Sequence, residues 1–160
     1  MRFERLIAAV VLSSACLCLS VVAAQAEGGG TGREPLPTTP DFTVNCPQGF
    51  LAVVHTTFNK EYGMTFNARD GSARSVITGA LLITVTGNGE TLAFNNSGTG
   101  TFYFAAEDGL VSVVGSGPNG YIPPDLSGLF IYYGRIVIDP NTGLVVTHEG
   151  TVTDVCALLS

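Results

Sequence analysis

Few groups in this chain could move a proton near neutral pH. There are two histidines, His55 and His148, and imidazole is the side chain whose charge changes in that range. His148 lies in an alternating run over residues 144–156. There Glu149 is its immediate neighbour and points to the opposite face of a strand. Asp154 shares the face of His148, but six residues of strand hold the two roughly 20 Å apart. Catalysis at His148 or His55 would therefore need a carboxylate or a tyrosine from another strand. The enzyme reading is a small-barrel isomerase, cyclase or hydrolase built that way. Against it, the chain has no G-x-S-x-G, no H-E-x-x-H and no C-x-x-C. A lone histidine among aliphatic residues is ordinarily a core or rim residue.

Of the four cysteines, Cys16 and Cys18 fall in an N-terminal apolar segment, which leaves Cys46 and Cys156. In an oxidising compartment such a pair reads as one disulfide joining the beginning of the domain to its end. A catalytic thiol is the alternative and would need an activating histidine. Residues 115–120, G-S-G-P-N-G, carry the letters of a dinucleotide fingerprint. Pro118 sits inside it, however, and Tyr121-Ile122-Pro123-Pro124 follows where a helix would have to open. Residues 139–143, D-P-N-T-G, begin like a calcium loop but lack its closing glutamate and flanking helices. No metal and no cofactor is expected.

With the fingerprint set aside, residues 115–128 read as the longest loop, carrying Tyr121 and Asp125. Residues 129–138, L-F-I-Y-Y-G-R-I-V-I, are apolar at both parities apart from Arg135. A strand dry on both faces must be covered twice: by core on one side, and by linker, loop, partner subunit or ligand on the other. Tyr121, Asp125, Tyr132 and Tyr133, together with Tyr103, are thus the candidates to line a site for a small apolar ligand.

The elements that would position these groups are strands. Residues 74–117 are cut by G-N-G, N-N-S-G and E-D-G clusters into runs of β-branched and aromatic residues, the pattern of an antiparallel meander. Ile77, Leu81, Ile83 and Val85 share a parity, as do Leu92 with Phe94 and Phe102 with Phe104. In residues 50–59, Phe50, Ala52, Val54 and Phe58 fall on one face and His55 on the other. Residues 59–63 read as a turn, 64–67 as a short strand and 69–72 as a second turn. Residues 144–156 stay in phase and read as one strand bent at Gly150. Seven to nine strands without a helix of note predict an all-β domain. The expectation is an antiparallel meander closing into a small barrel of about eight strands. A two-sheet sandwich is the alternative, and pairing of residues 50–59 with 144–156 would decide for the barrel.

Residues 1–26 read as a signal peptide, with Arg2 and Arg5 ahead of an uncharged apolar run and Ala24-Gln25-Ala26 at the cleavage point. An uncleaved N-terminal membrane anchor is the alternative. Residues 27–44, rich in glycine and then proline, read as a flexible linker, and residues 45–160 as a single β domain. The chain has seven Lys+Arg against thirteen Asp+Glu; setting aside Arg2, Arg5 and Glu4 leaves five against twelve. So few cations exclude a polyphosphate-binding stripe, and with it nucleic acid as a partner. The same acidity argues against an anionic membrane once the signal is removed.

The combination Asn95-x-Ser97-Gly98-x-Gly100, Asp108-Gly109 and His148-x-Gly150-Thr151-Val152-x-Asp154-x-Cys156 resembles a group of small secreted all-β proteins of actinobacteria. The resemblance implies secretion and an all-β domain, and carries over no activity and no site residues. Three functions follow as expectations. The first is a secreted, non-catalytic β-domain that binds a small apolar ligand. The others are an enzyme at His148 or His55, and a structural or adhesive protein of the cell envelope.

Overall fold

The structure, a computed structural model, describes residues 32–160. The expected signal segment and the first residues of the expected linker lie outside them. The described chain is all-β and antiparallel: β1 Glu34–Pro35, β2 Phe42–Asn45, β3 Leu51–Asn67, β4 Ala73–Gly87, β5 Glu90–Asn95, β6 Thr99–Ala105, β7 Gly109–Tyr121, β8 Phe130–Ile138 and β9 Val145–Asp154. A short helix, α1 Val155–Leu158, ends it. The nine strands form one sheet in the order β1-β3-β4-β6-β7-β8-β9, with β2 also on β3 and β5 also on β4.

β3 and β4 are the spine. They pair from Val53↔Thr86 to Asn67↔Ala73, with one bulge between Thr56 and Phe58. Residues 59–63 are therefore mid-strand and not a turn, because a full-length partner outweighs the local turn signal of Asn59 and Gly63. The bulge also inverts the parity. Ala52 and Val54 face the core ahead of it, and Glu61 does so after it, while Phe58 turns outward and is 39% exposed. At the other end of the spine, Asn88 and Gly89 take positive φ and close a two-residue hairpin into β5.

β5 and β6 do not pair with each other, as a simple meander would require. Each takes half of β4, β5 on Leu82–Gly87 and β6 on Ala73–Ile77. The joint between them is sewn down by Asn96, whose N–H donates to Leu81 O at 2.8 Å, and by the Ser97 hydroxyl against Leu81 N and O.

β7 reaches through the stretch expected as loop and ends at Tyr121. Its ladder with β6 stops at Ser116, although Gly98 N–H still donates to Pro118 O at 2.7 Å, so Pro118 sits where the ladder on that side is ending. A missing N–H is tolerated at such an edge position. Of the expected loop 115–128, only the residues after Tyr121 remain outside the strand.

Two clusters fill the interior. In one, Val44, Ala52, Val54, Leu81, Ile83 and Val85 meet Leu129, just ahead of β8, and Ile131 within it, together with Val155 and Leu159. In the other, Val113, Ile136 and Ile138 pack with Tyr121, Phe130 and Tyr132. The start of β8 is thus covered on both faces by the chain's own residues, whereas Tyr133 and Arg135 farther along it are exposed. Val44, in the segment expected as linker, is core: β2 pairs with the start of β3, and Phe42 packs against the same cluster.

Among the described residues no ladder joins β9 to β2 or β3, so residues 50–59 do not pair with 144–156. The ends of the sheet meet instead at a single bridge, Asn45↔Ser127, and at the Cys46–Cys156 disulfide, whose Cα atoms are 5.4 Å apart over 110 residues. Cys156 itself lies in α1, which Asp154 caps by accepting from Ala157 N at 3.0 Å.

Candidate functional site

Three glycines in register, Gly117↔Gly134↔Gly150, cross β7, β8 and β9, and all have positive φ. Only glycine takes that backbone without strain, and here it folds the three strands over on themselves. At this bend half-buried Tyr132 meets Tyr121 edge-on, with centroids 6.0 Å apart, and on its other side the exposed ring of His148 at 5.6 Å. Tyr121 is buried and its hydroxyl donates to Gly143 O at 3.0 Å. Burial pushes both phenols above their ordinary pKa, so they remain neutral donors at physiological pH.

The corner therefore unites Tyr121, Tyr132 and His148, three of the residues singled out from sequence. The others are elsewhere. Tyr133 is exposed on the opposite side of β8, and Tyr103 is exposed on β6. Asp125 closes a local turn by accepting from Ser127 N at 3.0 Å and Ser127 Oγ at 2.6 Å. Those bonds hold its carboxyl below the usual range. Asp139 does the same through Asn141 N and the Thr142 hydroxyl, which accounts for the calcium-like letters as a turn. Of the carboxylates nearest His148 in sequence, Asp154 caps the helix and Glu149 is the register partner of Arg135 on β8.

His55 has a partner that sequence alone did not pick out. Its Nδ1 lies 2.6 Å from Asp41 Oδ1, with both side chains more than half exposed. Phe42 pairs with Val54, so Asp41 stands at the next rung, directly opposite His55. The pair clasps the start of β2 to β3 and leaves the imidazole oriented.

The outer face of the β3–β4 spine carries a second constellation. Phe66, Arg74 and Tyr103 are consecutive register partners across β3, β4 and β6. Arg74 Cζ stands 5.0 Å from the Phe66 ring centre. Phe66 and Tyr103 are 39% and 40% exposed. With Ser72, Ala73 and Phe104 they line an open depression of about 350 Å³. Farther along β3, Arg33 stacks 4.0 Å over Tyr62 and Lys60 Nζ lies 5.5 Å over Phe58. Sequence reading missed this row, because the turn assigned to residues 59–63 split β3 and the bulge placed Phe58 on the wrong face.

On the inner face, Glu61 is 1% exposed and neither carboxylate oxygen has a hydrogen-bond partner among the described residues. Burial pushes its pKa from 4.5 to about 7. It faces Gly79, which has φ +144 and no room for a side chain.

No protein-family model, no curated protein and no solved structure matches the chain.

Proposed function

We propose that the chain is an exported, non-catalytic binding domain, and that its ligand docks on the outer face of β3, β4 and β6 at the Phe66–Arg74–Tyr103 row. The single observation that carries this reading is that row: two exposed rings flank a guanidinium in one line of register above an open depression. Such a site takes a small ligand with a planar or apolar body and one acidic group. The rings supply area, and the guanidinium, held over one of them, supplies charge and direction. The interior offers less, since Leu129, Ile131, Ile136 and Ile138 are already packed within its two clusters.

Export is part of the proposal. It is supported by the apolar N-terminal segment, by the resemblance to small secreted actinobacterial proteins, and by a disulfide of the kind that persists in oxidising compartments. Among the described residues no helix is long and apolar enough to cross a membrane. The finer architecture belongs to the same proposal: a sheet folded at its glycine row into two packed layers, closer to a sandwich than to a closed barrel.

Calorimetric titration with a panel of aromatic and aliphatic carboxylates tests the site. Binding should favour acids with a planar body, and Arg74→Ala and Tyr103→Ala should each weaken it about tenfold, or 1.4 kcal/mol. Binding unaffected by either substitution would move the site elsewhere.

A further inference from the structure

We propose that the outer face of β3 and β4 is a docking strip for an extended carboxylated polysaccharide, whose successive acidic groups meet Arg74, Arg33 and Lys60 in turn. The proposal rests on the binding-site reading of the Phe66–Arg74–Tyr103 row and extends it along the strand.

Past the bulge, Phe58, Tyr62 and Phe66 share the outer face of β3 at a four-residue repeat. In a strand that repeat places them roughly 13 Å apart, so the strip is about 26 Å long. Each ring has a cation over it: Lys60 at Phe58, Arg33 at Tyr62 and Arg74 at Phe66. Beyond residue 26 the chain has only Arg33, Lys60, Arg69, Arg74 and Arg135. Three of these five stand on this strip, and Arg69 lies in the turn joining its two strands. The outward positions 58, 60, 62, 64 and 66 of β3, and 74, 76, 78, 80 and 82 of β4, include no carboxylate. In a chain with net charge −6 that is a local reversal of sign, and it selects an anionic partner.

The partner's form follows from the spacing. A guanidinium resting on a ring is held in place with its N–H groups free for a carboxylate. The cations are few and form a line, so they suit neither a duplex, which needs many phosphate contacts, nor a lipid surface, which needs a broad patch. The apolar rings beneath and beside the charges ask for a chain that alternates acidic groups with apolar faces. A uronic acid polymer has both, whereas polyglutamate has the charge without the faces.

The test titrates the protein with oligogalacturonates of increasing length. Affinity should rise with length until the oligomer spans the strip, and then level off. For long oligomers Arg33→Ala, Lys60→Ala and Arg74→Ala should each weaken binding three- to tenfold. For the shortest fragment only Arg74→Ala should do so. All three positions are on the surface, and circular dichroism will verify that the variants keep the fold. If Lys60→Ala and Arg33→Ala leave long oligomers unaffected while Arg74→Ala weakens every length, the depression stands and the strip is overturned. If no length binds and planar carboxylates fail as well, both readings fall. Equal affinity for polyglutamate of matched length, or tighter binding to phosphatidylglycerol vesicles, would overturn the polysaccharide assignment.

Discussion

The rings of Tyr132 and His148 meet with centroids 5.6 Å apart, although the register pairs Tyr132 with Val152, four residues along β9 from His148. In a flat sheet those four residues would add roughly 13 Å. The distance is closed by the fold at Gly134 and Gly150. β7 shows the same thing, since a side chain at Gly115 would come within 3.2 Å of Asn119, four residues away on the same strand.

Substitution in the glycine row should therefore be costly. A Cβ at Gly134 would lie 2.1 Å from Glu149 O, and one at Gly150 would lie 2.0 Å from Tyr133 O; both are backbone atoms that cannot move aside. Gly134→Ala and Gly150→Ala should each cost about 3 kcal/mol or more. Gly89, also at positive φ but with nothing within 4 Å, should cost about 1 kcal/mol on the same change. Urea denaturation of the three variants checks the ranking.

Glu61 makes stability depend on pH. The folded chain holds its proton up to about pH 7, whereas the unfolded chain releases it near the ordinary 4.5. The contribution is complete below 4.5 and declines between 4.5 and about 7. Above that, about 3 kcal/mol has been lost relative to acid conditions. Glu61→Gln, neutral at every pH, should remove the decline and leave the variant more stable than the parent at pH 8. Thermal melts across pH 4–8 decide this, and an unchanged slope in the variant would refute it.

The Cys46–Cys156 bond closes a loop of 110 residues, and the chain-entropy model assigns such a loop about 4–5 kcal/mol. Replacing both cysteines with serine should lower stability by that order. It should first free α1 and Leu159, which pack at the sealed end. Hydrogen exchange at residues 155–159 should rise before that of β4.

The His55–Asp41 pair is close but exposed, so it should contribute little. Asp41→Asn should change the unfolding free energy by less than about 1 kcal/mol, as exposed ion pairs generally do. A larger loss in chemical denaturation would mean that the clasp on β2 matters more than its exposure suggests.

The strands and the dry face of the spine were legible in the sequence. Ile77, Leu81, Ile83 and Val85, read as one parity, are all buried, because alternation reports burial directly wherever a strand is regular. The Cys46–Cys156 pairing was legible for a different reason, since only two cysteines remained to choose from. What stayed hidden depends on long-range pairing. The bulge at Thr57 inverts a parity, and nothing local marks it. Residues 59–63 and 115–120 have turn composition, but β4 and β8 hold them in strand ladders. The aromatic and cationic row followed these errors into obscurity, since Arg33, just ahead of β1, and Arg74, on β4, reach Tyr62 and Phe66 from elsewhere in the chain. Of the tyrosines proposed for one site, only Tyr121 and Tyr132 converge, because the glycine fold that joins them leaves Tyr133 on the outside.

The central claim is that the outer face of the β3–β4 spine is where this protein binds. Amide chemical-shift mapping during titration with oligogalacturonate tests it most directly. Perturbations should be confined to Arg33, residues 58–66, 74–82 and Tyr103. Shifts centred on Tyr121, Tyr132 and His148 instead, or none at saturating oligomer, would contradict it.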